Sequence, residues 1–219
     1  QLYISGNTML INMTGMENLD SINGNFYVSN NDSLYNLVGL ESLKSIGGTL
    51  SIGYDNTYGN SSLINLTGLD NLSTIRGDLD IYFNNSLVNL DGLEGVSSIG
   101  GNISINLNNS LTSIMGLNNL TSFDGELNIS RNPELCYCSI EAVCVRLSDP
   151  NANMQFYNNA EGCSSIIQLA VACGTTLQCT WESVYRLKCQ YDVDHFPMVY
   201  PGPDGNLECG ISIGGSDII

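Results

Sequence analysis

Hydrophobic and polar residues follow one another in a pattern that repeats along most of this chain. The segment from Phe26 to Thr49 shows it most clearly, with apolar residues at positions 26 and 28 and then at every third position from Leu34 to Ile46. The pattern starts at residues 2, 26, 50, 79, 103 and 127, so its period is 24 residues except for one interval of 29. A fixed period of this length is typical of a solenoid, in which each turn contacts only its neighbours.

Each repeat opens with two apolar residues separated by one other residue. This alternation predicts a short strand with one side facing inward, and stacked repeats would pair these strands in a parallel sheet at a spacing of ~4.8 Å. We therefore predict a mainly β protein, a parallel β-helix or solenoid. The apolar pairs are Leu2/Ile4, Phe26/Val28, Leu50/Ile52, Leu79/Ile81, Ile103/Ile105 and Leu127/Ile129.

An asparagine usually stands three positions after the second apolar residue of the pair. The same amide at the same corner of successive turns predicts a ladder of side chains that bond backbone groups freed by the bend. In the third repeat, which carries five extra residues within Tyr54 to Ser62, an uninterrupted count places Asp55 at this corner. The expected asparagines are Asn7, Asn31, Asn84, Asn108 and Asn132, with Asn159 after a seventh strand near Met154 to Phe156.

The whole pattern, L-x-I-x-x-N-x-x-L-x-x-L-x-G-L-x-x-L-x-x-I-x-G, resembles the receptor L domain. That family has a right-handed, leucine-rich-like β-helix and occurs in insulin-receptor and epidermal-growth-factor-receptor ectodomains. The resemblance covers Leu2 to about Cys173. It implies an extracellular protein in which the outer face of the sheet contributes to ligand binding.

The repeats give way to cysteine-rich sequence near residue 135. We expect a repeat solenoid over 1–135, a disulfide-stapled cap over 136–173 and a cysteine-containing appendage over 174–219. A cap is needed because the end of a solenoid exposes apolar side chains and unpaired strand edges. Helical patterns run from Ile140 to Leu147 and from Ser165 to Cys173.

All eight cysteines lie between Cys136 and Cys209, and their even number favours an oxidising compartment. The resemblance to cell-surface L-domain-like proteins implies the pairs Cys138–Cys163 and Cys144–Cys173. The sequence itself leaves 105 connectivities open. The other cysteines are also expected to be oxidised: Cys136, Cys179, Cys189 and Cys209.

Charge and hydropathy narrow the classes of partner. The formal net charge is −16 with only 6 Lys and Arg residues, so the chain has no basic face for nucleic acid or for anionic lipid. No segment approaches the ~20 apolar residues of a membrane span, and no signal peptide is visible. We expect a secreted or cell-surface protein that is the mature product of a longer precursor.

The sequence contains no motif typical of a catalytic, metal or cofactor site. His195, the only histidine, stands in a proline-rich tail near Asp192 and Asp194 without a nucleophile motif. The close pair Cys136 and Cys138 fits disulfides better than zinc. We expect no cofactor and no enzyme activity.

The outward positions of the strands form the candidate binding face, which is polar, almost uncharged and rich in tyrosine. Its expected contact residues are Tyr3, Tyr27, Asp80 and Tyr82, with Tyr54 and Tyr58 from the inserted loop beside it. Tyrosine suits interfaces because it supplies contact area together with a hydroxyl. Among the N-x-S/T sequons, the glycosylation candidates are Asn60, Asn71 and Asn119.

These features favour an extracellular recognition or adhesion module that binds a protein or a glycan at the cell surface. The alternative is a structural subunit that binds copies of itself head to tail, because the first repeat begins at Leu2 without a capping helix. A non-closing contact of that kind makes filaments. The third hypothesis is a carbohydrate-active β-helix enzyme, which would need a pair of carboxylates that the outward positions do not show.

Overall fold

The computed structural model describes residues 1–53, 59–149, 151–175, 179–183 and 186–189, the last two ranges through their backbone only. The chain winds into a mainly β solenoid of about 6 turns of ~24 residues, which confirms the predicted fold class. In chain order the elements are β1 (Leu2–Ser5), β2 (Ser21–Ile22), β3 (Phe26–Ser29), β4 (Ser45–Ile46), β5 (Leu50–Ile52), β6 (Thr74–Ile75), β7 (Leu79–Tyr82), β8 (Ser98–Ile99), β9 (Ile103–Asn106), a 3₁₀ turn (Met115–Leu117), β10 (Ser122–Phe123), β11 (Leu127–Ser130), α1 (Glu141–Leu147), β12 (Met154–Tyr157), α2 (Ile166–Ala172), β13 (Cys179–Ser183) and β14 (Arg186–Cys189).

The opening strands of the turns form one parallel seven-stranded sheet in the order β1-β3-β5-β7-β9-β11-β12. Equivalent residues of successive turns lie side by side: Leu2 pairs with Phe26, Phe26 with Leu50, and Leu50 with Leu79. The register therefore steps by one repeat at each strand and passes over the five-residue insertion without a shift. As predicted, the seventh strand comes from the segment that begins at Met154.

A second parallel sheet, of five strands in the order β10-β8-β6-β4-β2, was not predicted. Each of its strands is two residues long and places one apolar residue inward, such as Ile46 or Ile75. Two residues are too few to show an alternating pattern, so no strand could be predicted there from the order of apolar and polar residues.

The core lies inside the coil and consists of layers of apolar side chains, mainly leucine and isoleucine, one layer from each turn. Close approach of the turns requires glycine at one corner. Gly68 has φ +112°, and a Cβ there would lie 2.1 Å from the carbonyl oxygen of Leu37 in the preceding turn. No other residue satisfies both the backbone conformation and the contact.

The ladder corner of the third turn corrects one prediction. Asn60, not Asp55, occupies it, because the five inserted residues precede the corner. The backbone N–H and the Nδ2 of Asn31 donate to Oδ1 of Asn60 at 3.2 and 3.1 Å. Asp55 lies outside the described residues, as do Tyr54 and Tyr58.

Two disulfides and two helices close the C-terminal end of the solenoid. Cys138 is bonded to Cys163 and Cys144 to Cys173, the pairs that the resemblance implied. The helices α1 and α2 match the two predicted helical segments. Arg146 of α1 reaches back to the solenoid, where its Nη2 donates to the Gly125 carbonyl at 3.1 Å.

The chain then continues into an antiparallel hairpin of β13 and β14. In its backbone register Cys179 stands opposite Cys189. The other residues expected in the appendage, including Cys209 and His195, lie outside the described part of the chain.

Candidate functional site

The outer face of the seven-stranded sheet consists of two columns of side chains that alternate with the inward core residues. The columns are read from the strand register and contain a single acidic group, Asp80. The first column is Tyr3, Tyr27, Ser51, Asp80, Ser104, Asn128 and Gln155. The second column includes Ser5, Ser29, Tyr82, Asn106, Ser130 and Tyr157.

Tyr3 and Tyr27 form an aromatic stack at one end of this face. Their ring centroids are 4.6 Å apart and their planes differ by 12°. Because this stack follows the direction in which the turns repeat, the rings present their edges and hydroxyls, rather than their flat faces, to a ligand above the sheet. The Tyr3 hydroxyl donates to Oε1 of Gln1 at 2.7 Å, and the Tyr27 hydroxyl accepts from Nδ2 of Asn25 at 2.6 Å.

Asp80 lies near the middle of the face and is half-buried. Burial raises the pKa of its carboxyl to about 6, with a further contribution from the negative charge of Asp78, while hydrogen bonds to Ser104 and Tyr82 act in the opposite direction. A carboxyl with this pKa changes its charge near neutral pH.

Asp78 is a neighbour that the outward-position count missed, because it precedes the first residue of β7. A raised-pKa carboxyl beside a second carboxyl is the arrangement that glycosidases use. Here, however, Asp78 is engaged in links between turns. Its Oδ1 accepts from the backbone N–H of Asn102 at 2.7 Å and its Oδ2 accepts from the Thr49 hydroxyl at 3.4 Å. The position of Asp78 beside Asp80 is therefore explained by the links that Asp78 makes between turns.

The structure divides the predicted contact residues into two groups. Tyr3 and Tyr27 lie on the first two strands of the sheet, whereas Asp80 and Tyr82 lie on β7, with β5 between them. Ser51 of β5 is only 6% exposed and its hydroxyl donates to the Gly53 carbonyl, so it offers little to a ligand.

The asparagine ladder runs beside the sheet and is continuous from Asn7 to Asn159. In each turn the backbone N–H and Nδ2 donate to Oδ1 of the asparagine in the following turn, at 3.0 to 3.4 Å. Nδ2 also donates to a strand carbonyl of the preceding turn, as from Asn84 to Ile52. This network fixes the corner and has no donor or acceptor free for a ligand between the second turn and the sixth.

The three glycosylation candidates differ in how far their side chains are buried. Asn60 is fully buried in the ladder, so its assignment as a glycosylation candidate is wrong. Asn71 and Asn119 are exposed, and each uses one N–H of its amide to bond a carbonyl of the preceding turn, Glu41 and Glu94 respectively. A glycosylated amide keeps one N–H, so both bonds are compatible with modification.

Cys136 is exposed and forms no disulfide with a cysteine whose side chain the structure describes. Its expected partners, Cys179, Cys189 and Cys209, have side chains outside that part of the chain, so its oxidation stays a prediction. Its Sγ lies 3.8 Å from the Thr112 carbonyl oxygen. Within the described residues there is no cluster of three or more His, Cys, Asp or Glu side chains that would hold a metal ion. No helix in that part of the chain is both long and apolar enough to cross a bilayer.

No protein-family model, curated protein or solved structure matches this chain.

Proposed function

We propose that this chain is a non-enzymatic extracellular recognition or adhesion module that binds a protein or a glycan through the outer face of its seven-stranded sheet. The observation that carries the proposal is the composition of that face: tyrosine, serine, asparagine and glutamine side chains in two regular columns, with one acidic group. Side chains on a paired sheet are held in fixed positions, which limits the entropy lost on binding. The two disulfides of the cap favour an oxidising, extracellular setting.

The geometry of the tyrosines indicates which ligand chemistry the face suits. Tyr27 keeps a hydroxyl proton to donate, and Tyr3 keeps lone pairs to accept, after their internal hydrogen bonds are counted. Ring edges and hydroxyls recognise polar groups by hydrogen bonding. We therefore favour a neutral polar ligand, such as an uncharged glycan or a polar protein loop.

The test is binding to an array of neutral and anionic glycans and to a panel of secreted proteins, with the wild type and two variants. Tyr27→Ala removes a ring from the candidate face, and we expect it to weaken binding by about tenfold or more, the scale of a tyrosine at an interface. Tyr35→Ala is the matched control, because Tyr35 is half exposed but lies outside the strands of the sheet. Absence of any bound ligand, or equal losses in both variants, would count against the proposal.

A filament subunit assembled head to tail is the second candidate, because β1 is an edge strand whose partner among the described residues is β3 alone. Electron microscopy of native material, together with a mass measurement in solution, discriminates the two. Regular filaments support the structural role, whereas discrete monomers support recognition.

A further inference from the structure

The residue that precedes each ladder asparagine has an unusual backbone conformation. In every turn except the third its φ angle is positive, in the left-handed region that glycine and asparagine adopt most readily. The first, second and seventh turns have glycine or asparagine there. The fourth, fifth and sixth turns instead have Phe83, Leu107 and Arg131, with φ angles of +57°, +61° and +58°.

A large side chain in this conformation is strained, because its Cβ lies too close to the following carbonyl oxygen. The corner itself does not require Phe83 or Leu107, since asparagine forms the same corner in the second and seventh turns. Strain of this kind persists where something other than the local backbone requires the side chain, and functional sites are the usual place.

The three strained residues stand side by side, and we call them the corner patch: Phe83, Leu107 and Arg131. Neighbouring members are one strand spacing apart, ~4.8 Å. Each of them directly follows one of three strand residues that pair in register, Tyr82, Asn106 and Ser130. The corner patch therefore borders the outer face of the seven-stranded sheet at the ends of β7, β9 and β11.

The corner patch combines apolar surface with a cation. The side chains of Phe83 and Leu107 are partly exposed, and Arg131 is exposed. The Arg131 guanidinium lies 5.9 Å from the centroid of the Tyr157 ring and forms no ion pair with a described residue. The two columns of the outer face contain no lysine or arginine, so Arg131 brings the positive charge to this border.

We propose that the corner patch binds a protein loop that places an apolar side chain on Phe83 and Leu107 and a carboxylate on Arg131. This inference rests on the proposed recognition function and deepens it, because it selects a protein loop over a glycan and adds contacts beside the outer face. The strained backbone is retained because these three side chains serve binding rather than the corner.

The chemistry of the three side chains favours a protein loop. Phe83 and Leu107 have only apolar side-chain atoms, so a partner that covers them with apolar surface is favoured. Sugar hydroxyls placed against Leu107 would lose water without gaining a hydrogen bond. A guanidinium binds a carboxylate through two parallel N–H bonds. The partner would need its apolar and acidic groups within roughly 10 Å of each other, two strand spacings, which a single loop provides.

The test begins with a displayed library of disulfide-closed peptide loops that have random positions in a frame of glycine, serine and asparagine. The wild-type protein is the target and the Phe83→Asn variant is the counter-target. Asparagine is chosen because Asn30 and Asn158 already adopt this corner conformation. We expect the enriched loops to carry an apolar residue together with Asp or Glu.

Titration of the enriched loops as synthetic peptides then measures the effect of each variant. We expect Phe83→Asn to weaken binding by about tenfold or more. Arg131→Gln should weaken a loop with Asp or Glu and leave the Asn or Gln version of that loop unchanged. Val88→Asn is the matched control, because it removes an exposed apolar side chain from the same turn outside the strands of the sheet. It should leave the affinity within about twofold.

A second measurement separates binding from packing. Because Phe83 is strained and partly exposed, the urea midpoint of Phe83→Asn should equal or exceed that of the wild type. A lower midpoint would show that Phe83 is retained for packing and would overturn the inference.

Three binding results would also overturn it. The first is enrichment of loops that lack an apolar or an acidic residue, and the second is binding of anionic glycans in place of loops. The third is a ligand that Tyr27→Ala weakens and Phe83→Asn does not, which would remove the corner patch and leave the proposed function standing. Absence of any ligand would remove both.

Discussion

At the scale of single residues, the ladder asparagines do more than fill a corner. Asn84 is fully buried, accepts from the backbone and side chain of Asn60, and donates to the carbonyls of Ile52 and Tyr82 at 2.9 Å each. One side chain thereby satisfies buried groups in two turns. A buried donor or acceptor that loses its partner costs about 1–3 kcal/mol, so the ladder couples the stability of neighbouring turns.

We expect Asn84→Ala to lower the free energy of unfolding by about 2–4 kcal/mol, because it leaves several buried groups unpaired. Chemical denaturation followed by circular dichroism measures the effect. Asn85→Ala is the matched control, since the adjacent side chain is exposed, and it should change the midpoint very little. Similar midpoints for the two variants would show that the ladder does not stabilise the fold.

The Asp80 carboxyl predicts a pH dependence of stability. Because its pKa is raised from 3.8 to about 6, mainly by burial, the folded protein holds a proton that the unfolded chain has already released in this interval. Its contribution to stability is therefore complete below pH 3.8 and is lost as the pH rises through about 6. We expect Asp80→Asn to remove this loss.

The measurement is the urea midpoint of wild type and Asp80→Asn between pH 3 and pH 8. The advantage of the variant should be small at the acid end, grow with pH and level off above about pH 6. Asp124→Asn, which removes a charge from an exposed position, controls for the change in net charge. A difference that does not vary with pH would contradict the expectation.

The ladder asparagines also differ in whether the sequence alone could predict them. Six ladder asparagines were predicted because a fixed count from the strand reaches them. Asn60 was missed because a count cannot tell whether five inserted residues stand before or after the corner. Burial of the side chain decides between Asp55 and Asn60, and burial follows from packing against neighbouring turns, which a single sequence position does not reveal.

At the scale of elements, two corner glycines allow the cost of backbone strain to be measured apart from the cost of a steric overlap between turns. Gly15 and Gly68 have similar φ angles, +105° and +112°, but nothing lies within 4 Å of a Cβ built on Gly15. We expect Gly15→Ala to incur only backbone strain, about 1–2 kcal/mol, and Gly68→Ala to cost about 1–3 kcal/mol more, because its Cβ overlaps the Leu37 carbonyl. Thermal unfolding of both variants tests this, and equal losses would mean that the turns can separate locally without cost.

The hairpin gives a prediction about the remaining cysteines. Directly opposed residues of an antiparallel pair have Cα atoms ~4.5–5.5 Å apart, within the range that a disulfide spans. We therefore expect peptide mapping of unreduced protein to find Cys179 joined to Cys189, beside the two disulfides of the cap. A map that joins Cys179 or Cys189 to Cys136 would contradict this expectation.

The two sheets differ in how far the sequence could predict them. Strands such as Phe26–Ser29 have an apolar, polar, apolar, polar order that repeats in every turn, so one strand supports the assignment of the next. The two-residue strands of the second sheet have no such order, and they form because the coil brings Ser45–Ile46 alongside Thr74–Ile75. Their geometry is imposed by the stacking of turns rather than by local preference.

At the scale of the whole molecule, a solenoid has several sides, and modification can occupy one side while another stays free. The exposed sequons at Asn71 and Asn119 precede strands of the short second sheet, whereas Asn128 lies on the outer face of the seven-stranded sheet, half-buried and bonded to the Ser130 hydroxyl at 3.1 Å. Glycans on the first two would leave the candidate binding face open. A glycan on Asn128 would cover it.

We therefore expect glycopeptide mapping of folded protein secreted from eukaryotic cells to find glycans on Asn71 and Asn119. Asn60, which is buried in the ladder, should be unmodified, because a glycan there is incompatible with the corner. Asn128 should also be unmodified if the sheet face serves recognition. A glycan on Asn128 in folded protein would be compatible with the solenoid fold but would cover the sheet face and so rule it out as the binding surface. Occupancy of this one site therefore tests the proposed function without testing the fold.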